Sequence, residues 1–368
     1  MSQDEAGIAT SAPTAEEDAL RAPLAEWLAR RWPEARRIEV GPIEAPRSGF
    51  SAKTVFVPVR LEREGQRIDE KLVLRLESPE PAIYPQQAPG LDVEIEIQYR
   101  AMEGLIATGK VPLAPLVGYE SDASLLGAPF FVMSFVPGDV MIESPPYTQE
   151  GFFTELDPDG RRQVICEGLR VLADFHTIDW RQAGFEWLLS PGHAPTVGRQ
   201  IELWEAYARR ELGERRHPDL ERAFDWLRRH EPGQLEPGLS WGDSRPGNII
   251  YRDRRCACIT DFENIAIAPP EIDLGWWLMF DRTQHECVGA DRLPGEPTRE
   301  EQREIYAGYA GRPISETFYF ELLAAARYAA IVVRVMNRLV QRGAIPADQT
   351  IWLTNPASDA LARILAES

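Results

Sequence analysis

The sequence predicts an α+β chain folded as two unequal lobes, a small β-rich lobe followed by a large and mainly helical one. Three observations carry this reading. From Arg37 to Leu76 apolar and polar residues alternate with the period of half-buried strands. Beyond Gly138 almost every apolar run repeats at helical spacing. A single island, Leu239 to Phe262, interrupts the helical pattern with short apolar runs around two turns, Ser244-Arg245-Pro246-Gly247 and Arg252-Asp253-Arg254-Arg255.

Residues 1–18 are acidic and rich in Ala, Ser and Thr, without the basic and apolar blocks of a secretion signal, and read as a disordered tail. The small lobe is expected over residues 19–137. Leu20, Leu24, Trp27 and Leu28 predict an amphipathic helix ending before Pro33. Ile38 and Val40, then Val55 to Leu61, a polar turn at Glu64-Gly65-Gln66, and Leu72, Leu74 and Leu76 predict a twisted antiparallel sheet with a hairpin. A helix from about Asp92 to Thr108 and strands near Leu113–Tyr119 and Phe130–Val136 complete it. Pro137-Gly138 reads as a hinge. The large lobe, 138–368, is expected to carry helices near Arg161–His176, Gln200–Glu211, Leu220–His230, Arg299–Tyr309, Glu316–Arg342 and Pro356–Ala366.

The chain has 368 residues, 40 cationic against 58 acidic side chains, and a formal charge of −18. An acidic field argues against a nucleic-acid partner, because phosphate neutralisation requires a basic one. No apolar stretch is long and uncharged enough to cross a membrane, and a cytoplasmic location is the default expectation. Cys166, Cys256, Cys258 and Cys287 are too few and too scattered for a disulfide framework, and read as reduced thiols. Only three of the 40 cations are lysines, so the arginine excess lowers the information in any single arginine.

Chemistry concentrates in the island. Asp243 and Asn248 lie five apart across a Pro-Gly turn, and Asp261 ends the strand after the next reversal. Tight turns would bring all three to one point at the cleft edge, as hard oxygen groups of the kind Mg²⁺ takes beside substrate phosphates. An Asp capping a turn is the bland alternative for the pair alone. No Gly-x-Ser-x-Gly, Walker lysine or paired-histidine zinc motif competes, and His176 reads as a packed helix residue rather than a base.

The string Trp241-Gly242-Asp243, Asn248 and Thr260-Asp261-Phe262-Glu263 resembles the catalytic segments of the aminoglycoside phosphotransferases and their choline-kinase-like relatives. Val171-Leu172-Ala173-Asp174-Phe175-His176 is similar to their Leu-Ala-x-x-His helix, and the resemblance extends over roughly Ile38 to Val335. Its nearest aspect is the branch whose members include domains fused to acyl-CoA dehydrogenases. The resemblance implies a protein-kinase-like bilobal fold and ATP-dependent transfer of the γ-phosphate to a hydroxyl of a small molecule, with GTP as a possible donor. It implies Asp243 as catalytic base, Asn248 and Asp261 as Mg²⁺ ligands, and Asp273 as a buried brace of the catalytic loop. Arg245 would reach the transferred phosphate, or else face solvent as an ordinary turn residue.

For the nucleotide, the resemblance assigns Arg47 to Lys53 to the phosphate-covering loop, with Gly49 and Ser51 approaching the phosphates. Arg75 replaces the usual phosphate-binding lysine, with Val73 over the adenine; Lys71, on the same strand face, is the competing cation. The helix partner of that cation would be Gln98, where Glu is usual, or Glu94 one turn earlier. Met133 would gate the adenine pocket, with backbone groups of Ser134 and Val136 pairing with the base. The rival from another class is a catalytically degenerate kinase fold that binds nucleotide or a partner without phosphoryl transfer. Trp241 for His, Gln98 for Glu and a loop with one glycine favour that rival. The retained Asp243, Asn248 and Asp261 favour the enzyme. For the acceptor, the acidic stretch Glu143 to Asp159 would attract a cation or simply be solvated, and Trp276 and Trp277 would line a pocket or fill core.

Overall fold

The computed structural model describes residues 10–11, 18–46, 52–314 and 316–368. The strands of the first third are β1 (Thr10–Ser11), β2 (Ala35–Val40), β3 (Ala45–Pro46), β4 (Lys53–Arg63), β5 (Gln66–Leu76), β6 (Leu116–Glu120) and β7 (Phe130–Ser134). Five of them form an antiparallel sheet in the order β2-β4-β5-β7-β6. The hairpin β4-β5 turns at Glu64-Gly65, both at positive φ, where glycine supplies the second position without a Cβ penalty. Its register puts Val55, Val57, Leu72 and Leu74 on one face, under Leu24, Trp27 and Leu28 of the helix Arg21–Arg31. Period-2 alternation turns Val73 and Arg75 the other way, toward the second lobe. β1 pairs with β3, so Thr10–Ser11 is strand where a disordered tail was expected.

The second lobe is built on the helix Phe318–Gln341, which packs against the helices Glu271–Gln284, Val197–Leu212, Pro218–Arg229 and Pro356–Leu365. Their shared core includes Trp204, Phe224, Trp276, Leu322 and Leu323. The island folds as β9 (Gly238–Ser240), a 3₁₀ turn Pro246–Asn248, β10 (Ile249–Arg252), β11 (Arg255–Ile259) and β12 (Ala266–Ala268). β9 pairs with β12, while β10 lies between β11 and β8 (Asp139–Val140). No helix among the described residues is long and apolar enough to cross a membrane.

Three further features bear on the expectations. Directly after Pro137-Gly138 the chain joins the second lobe, where β8 pairs Val140 with Ile250 and Asp139 with Tyr251, and a Cβ on Gly138 would lie 2.4 Å from the Tyr251 carbonyl oxygen. Trp276 and Trp277 sit in the middle of the helix Glu271–Gln284. Between β5 and the helix Glu94–Thr108, residues 80–87 cross to the second lobe and lie on it as a strap. Glu80 pairs with Arg338 at 2.8 Å and Arg342 at 2.7 Å, and Arg334 donates to the Pro81 carbonyl at 2.8 Å. Tyr207 donates to the Ile83 carbonyl, and Gln87 bridges Gln200 at 2.8 Å and Asn264 at 2.7 Å.

Candidate active site

The catalytic loop is set by a buried carboxylate. Asp273, at the start of the helix Glu271–Gln284, accepts from Ser240 Oγ and Gly242 N–H on Oδ1, both at 2.9 Å. Its Oδ2 takes Trp241 N–H at 2.7 Å and His176 Nε2 at 3.0 Å. Burial opposes ionisation, but the His176 hydrogen bond and these backbone donors outweigh it and hold the carboxyl below the usual range. His176 is fixed in turn by Tyr306 at 2.6 Å, so it serves the brace. From the other side Arg327 donates to the Gly242 carbonyl at 2.8 Å while its guanidinium lies over the rings of Trp204 and Trp276 at 4.7 and 4.5 Å. Burial lowers its pKa to about 10, which leaves it cationic at neutral pH.

This frame presents Asp243 with all its acceptor positions taken. Oδ1 receives Trp276 Nε1 at 2.8 Å and Arg245 Nε at 2.9 Å; Oδ2 receives Asn248 Nδ2 at 2.8 Å and the Tyr84 hydroxyl at 3.1 Å. Asn248 Nδ2 also bonds the Asp243 carbonyl, so its Oδ1 is the group left for a cation. Thr260 closes the turn by donating its N–H to the Asn248 carbonyl at 2.9 Å, which brings Asp261 beside them. Asp261 has φ +65, and its buried Oδ1 has no hydrogen-bond partner. Burial raises its pKa, and Asp243 adds to that against the opposing field of Arg75. An orphaned, desolvated oxygen on a strained residue fits a site completed by a divalent cation.

Asp243, Asn248, Asp261 and Arg245 thus converge. Arg245 is committed to Asp243 and to a close ion pair with Glu143, rather than turned to solvent. Arg75 crosses between the lobes to Glu263, Nη2 to Oε1 at 3.0 Å, as a part-buried pair. This replaces the expected helix partner. Gln98 is buried with its Nε2 unpartnered, and burial together with the Glu77 carboxylate pushes Glu94 up to about 7, which weakens it as a counter-ion. Lys71 is drawn aside, over the rings of Phe56 and Phe135 and 3.6 Å from Glu44. Val73 pairs with Met133 across β5 and β7, both near the cleft face. Ser134 donates its N–H to the Pro115 carbonyl at 2.8 Å, so only its carbonyl could meet a base. Val136 packs against the core at the lobe junction. Gly49 and Ser51 lie outside the described residues.

Beside Asp243 opens a cavity of about 640 Å³. Asp243, Arg245, Asp261, Glu263, Glu143 and Tyr84 lie at its polar end, and Trp276, Phe280, Ile331, Val332, Val335 and Met336 on its apolar walls. Trp276 and Trp277 therefore divide: the first lines this cavity and holds Asp243, the second bonds Gln302 in the core at 2.7 Å. Of the acidic stretch, Glu143 alone lines the cavity, whereas Asp157 caps the helix Pro158–His176. Tyr84, Arg327 and the Glu263 partner of Arg75 escape sequence reasoning. A charge inside the apolar run Leu322 to Val333 is a visible signal for Arg327; Tyr84, in a proline-rich loop, has none.

A two-lobed fold with this constellation matches a known family of enzymes. The chain belongs to the phosphotransferase enzyme family, whose model matches residues 42–312. It is 26% identical over 304 residues to mouse acyl-CoA dehydrogenase family member 10, covering 79% of this chain and 27% of that protein. Human acyl-CoA dehydrogenase family member 11 is 25% identical over 197 residues, covering 51% and 23%. The chain thus spans about a quarter of the length of these relatives. Among solved structures, a Ralstonia eutropha protein proposed to be an aminoglycoside phosphotransferase superposes with TM-score 0.68 at 23% identity, covering 94% of this chain and 98% of that one. Choline kinase from Streptococcus pneumoniae does so with TM-score 0.54 at 12% identity, covering 94% and 98%. These likenesses establish the kinase-like α+β fold.

Proposed function

We propose that the protein is a Mg-ATP-dependent kinase acting on a hydroxyl group of a small molecule with a largely apolar body. The observation that carries the reading is the convergence of Asp243, Asn248 and the orphaned Asp261 Oδ1 at the mouth of an apolar-walled cavity. Asp243 accepts the proton of the acceptor hydroxyl as that oxygen attacks the γ-phosphorus. Asn248 and Asp261 would hold Mg²⁺, which supplies neutralisation of the phosphate oxygens when bound. Arg75, steered by Glu263, adds a cation on the nucleotide side, and Val73, Met133 and Val136 line the place for the base. Arg245 holds Asp243 and Glu143 together and sets the polar end of the acceptor site.

The apolar walls separate this acceptor from a polycation. Trp276, Phe280 and the Ile331-to-Met336 face offer area for burial, at roughly 25 cal/mol per Å², and Glu143 is already neutralised by Arg245. A melting-temperature series with Mg-ATP tests the nucleotide part. The wild type should be stabilised in a saturable way and Asp261→Asn much less so; no shift with ATP or GTP would remove the assignment.

A further inference from the structure

The four donors around Asp243 differ in what can move them. Trp276 is inside a buried helix, Asn248 inside a 3₁₀ turn, and Arg245 is clamped between two carboxylates. Tyr84 is different. The strap is pinned on both sides of it, at the Pro81 and Ile83 carbonyls and at the Gln87 side chain, but Tyr84 itself lines two cavities. One is the acceptor cavity, and the other, of about 710 Å³, lies across the strap and is lined by Ala82, Arg210, Arg215, Arg334 and Asn337. Rotation about its side-chain bonds therefore has somewhere to go, while movement of the strap does not.

We propose that Tyr84 is a side-chain gate that fills the acceptor hydroxyl's position on Asp243, so that only an acceptor able to displace it is phosphorylated. The inference rests on the kinase reading above and adds the discrimination of acceptor from water. Its hydroxyl donates to Asp243 Oδ2 at 3.1 Å, as the hydroxyl of an acceptor must for its proton to be removed. Displacing it breaks a hydrogen bond to a charged group, and the incoming molecule must supply compensating binding energy. An acceptor with an apolar body supplies it by burying that body against Trp276, Phe280 and Val335. Water has no such body, so the gate stays shut and the nucleotide is spared. In the suppressed side reaction a water oxygen bonds to the γ-phosphorus, the bond from that phosphorus to the bridging oxygen breaks, and the water proton goes to Asp243, giving ADP and inorganic phosphate.

The test uses the whole protein with Mg-ATP and no other acceptor. ADP release is followed for the wild type, Tyr84→Phe, Tyr84→Leu, and Tyr84→Phe combined with Asp243→Asn, with Mg-ATP-induced stabilisation measured on the same samples. The gate predicts that Tyr84→Phe raises ADP release about tenfold, from the loss of one charge-assisted hydrogen bond. Tyr84→Leu should raise it at least as much, and adding Asp243→Asn should abolish the gain. A residue that merely supports the loop would lower the rate on replacement, so an unchanged or lower rate in both single variants, with Mg-ATP stabilisation intact, overturns the gate alone. Absence of Mg-ATP stabilisation in the wild type overturns the kinase reading and the gate with it.

Discussion

Trp241 donates its indole N–H to the carbonyl oxygen of Asp261 at 3.1 Å, and also to that of Thr260 at 2.9 Å. The residue standing where the resembled motif has histidine therefore ties the loop bearing Asp243 to the loop bearing Asp261. Its ring is fully buried, between Phe175 and Phe262. Trp241→Phe keeps most of that packing and removes the donor. The expected cost is about 1–2 kcal/mol in chemical denaturation, with a larger proportional loss of Mg-ATP affinity because Asp261 loses its alignment. Equal, small losses in both would mean the two loops are held by other contacts.

The Arg75–Glu263 pair gives a graded expectation. Arg75→Met should weaken Mg-ATP binding roughly tenfold or more, the scale of one lost charge-assisted contact. Arg75→Lys keeps the charge without the planar fork and should fall between. Titration calorimetry orders the three proteins; a lysine variant as weak as methionine would show that geometry, not charge, dominates there.

Gly242 has φ +86, and a Cβ there would lie 2.0 Å from the Asn264 carbonyl oxygen. Backbone strain and collision act together, so Gly242→Ala should destabilise by about 3 kcal/mol or more. The denaturant midpoint reads this directly, and a variant as stable as wild type would contradict the loop geometry.

His285 gives a pH dependence. Its Nε2 is 2.8 Å from Glu296 and its Nδ1 bonds the Asp281 carbonyl at 2.8 Å, with the Asp281 carboxylate at 3.8 Å, Arg292 on that carboxylate, and the Tyr147 ring alongside. Burial opposes the imidazolium, but the Glu296 and Asp281 carboxylates prevail and raise its pKa. A raised folded value gives stability that is full below the unfolded value of about 6.5 and lost as pH rises through the folded one. The wild-type denaturation midpoint should thus fall over that rise, and His285→Gln should flatten this part of the profile. An unaltered slope in the variant would refute the assignment.

Much of this molecule is legible in its sequence because local rules suffice for it. The alternation from Val55 to Leu76 requires a hairpin whatever the second lobe does, and the strap-free helices follow their apolar spacing. The Asp243, Asn248 and Asp261 cluster is readable because two short turns force their approach. Tyr84 and the partner of Arg75 are not, since they depend on contacts between residues 159 and 188 positions apart. No period encodes such a contact. The seating of the chain just after Pro137-Gly138 is unreadable for a related reason: the pairing of Asp139 with Tyr251 is a tertiary choice, invisible in the dipeptide.

The reaction proposed at Asp243 is transfer of phosphate to a hydroxyl. Its most direct measurement is mass spectrometry of a graded series of hydroxylated acceptors, from polar amino alcohols to long-chain apolar alcohols and hydroxy acids, after incubation with the protein and Mg-ATP. Phosphorylated product is expected among the apolar members, with ADP formed in equal amount, and none from Asp243→Asn. Product confined to the cationic amino alcohols, or equal product from Asp243→Asn and wild type, would contradict it.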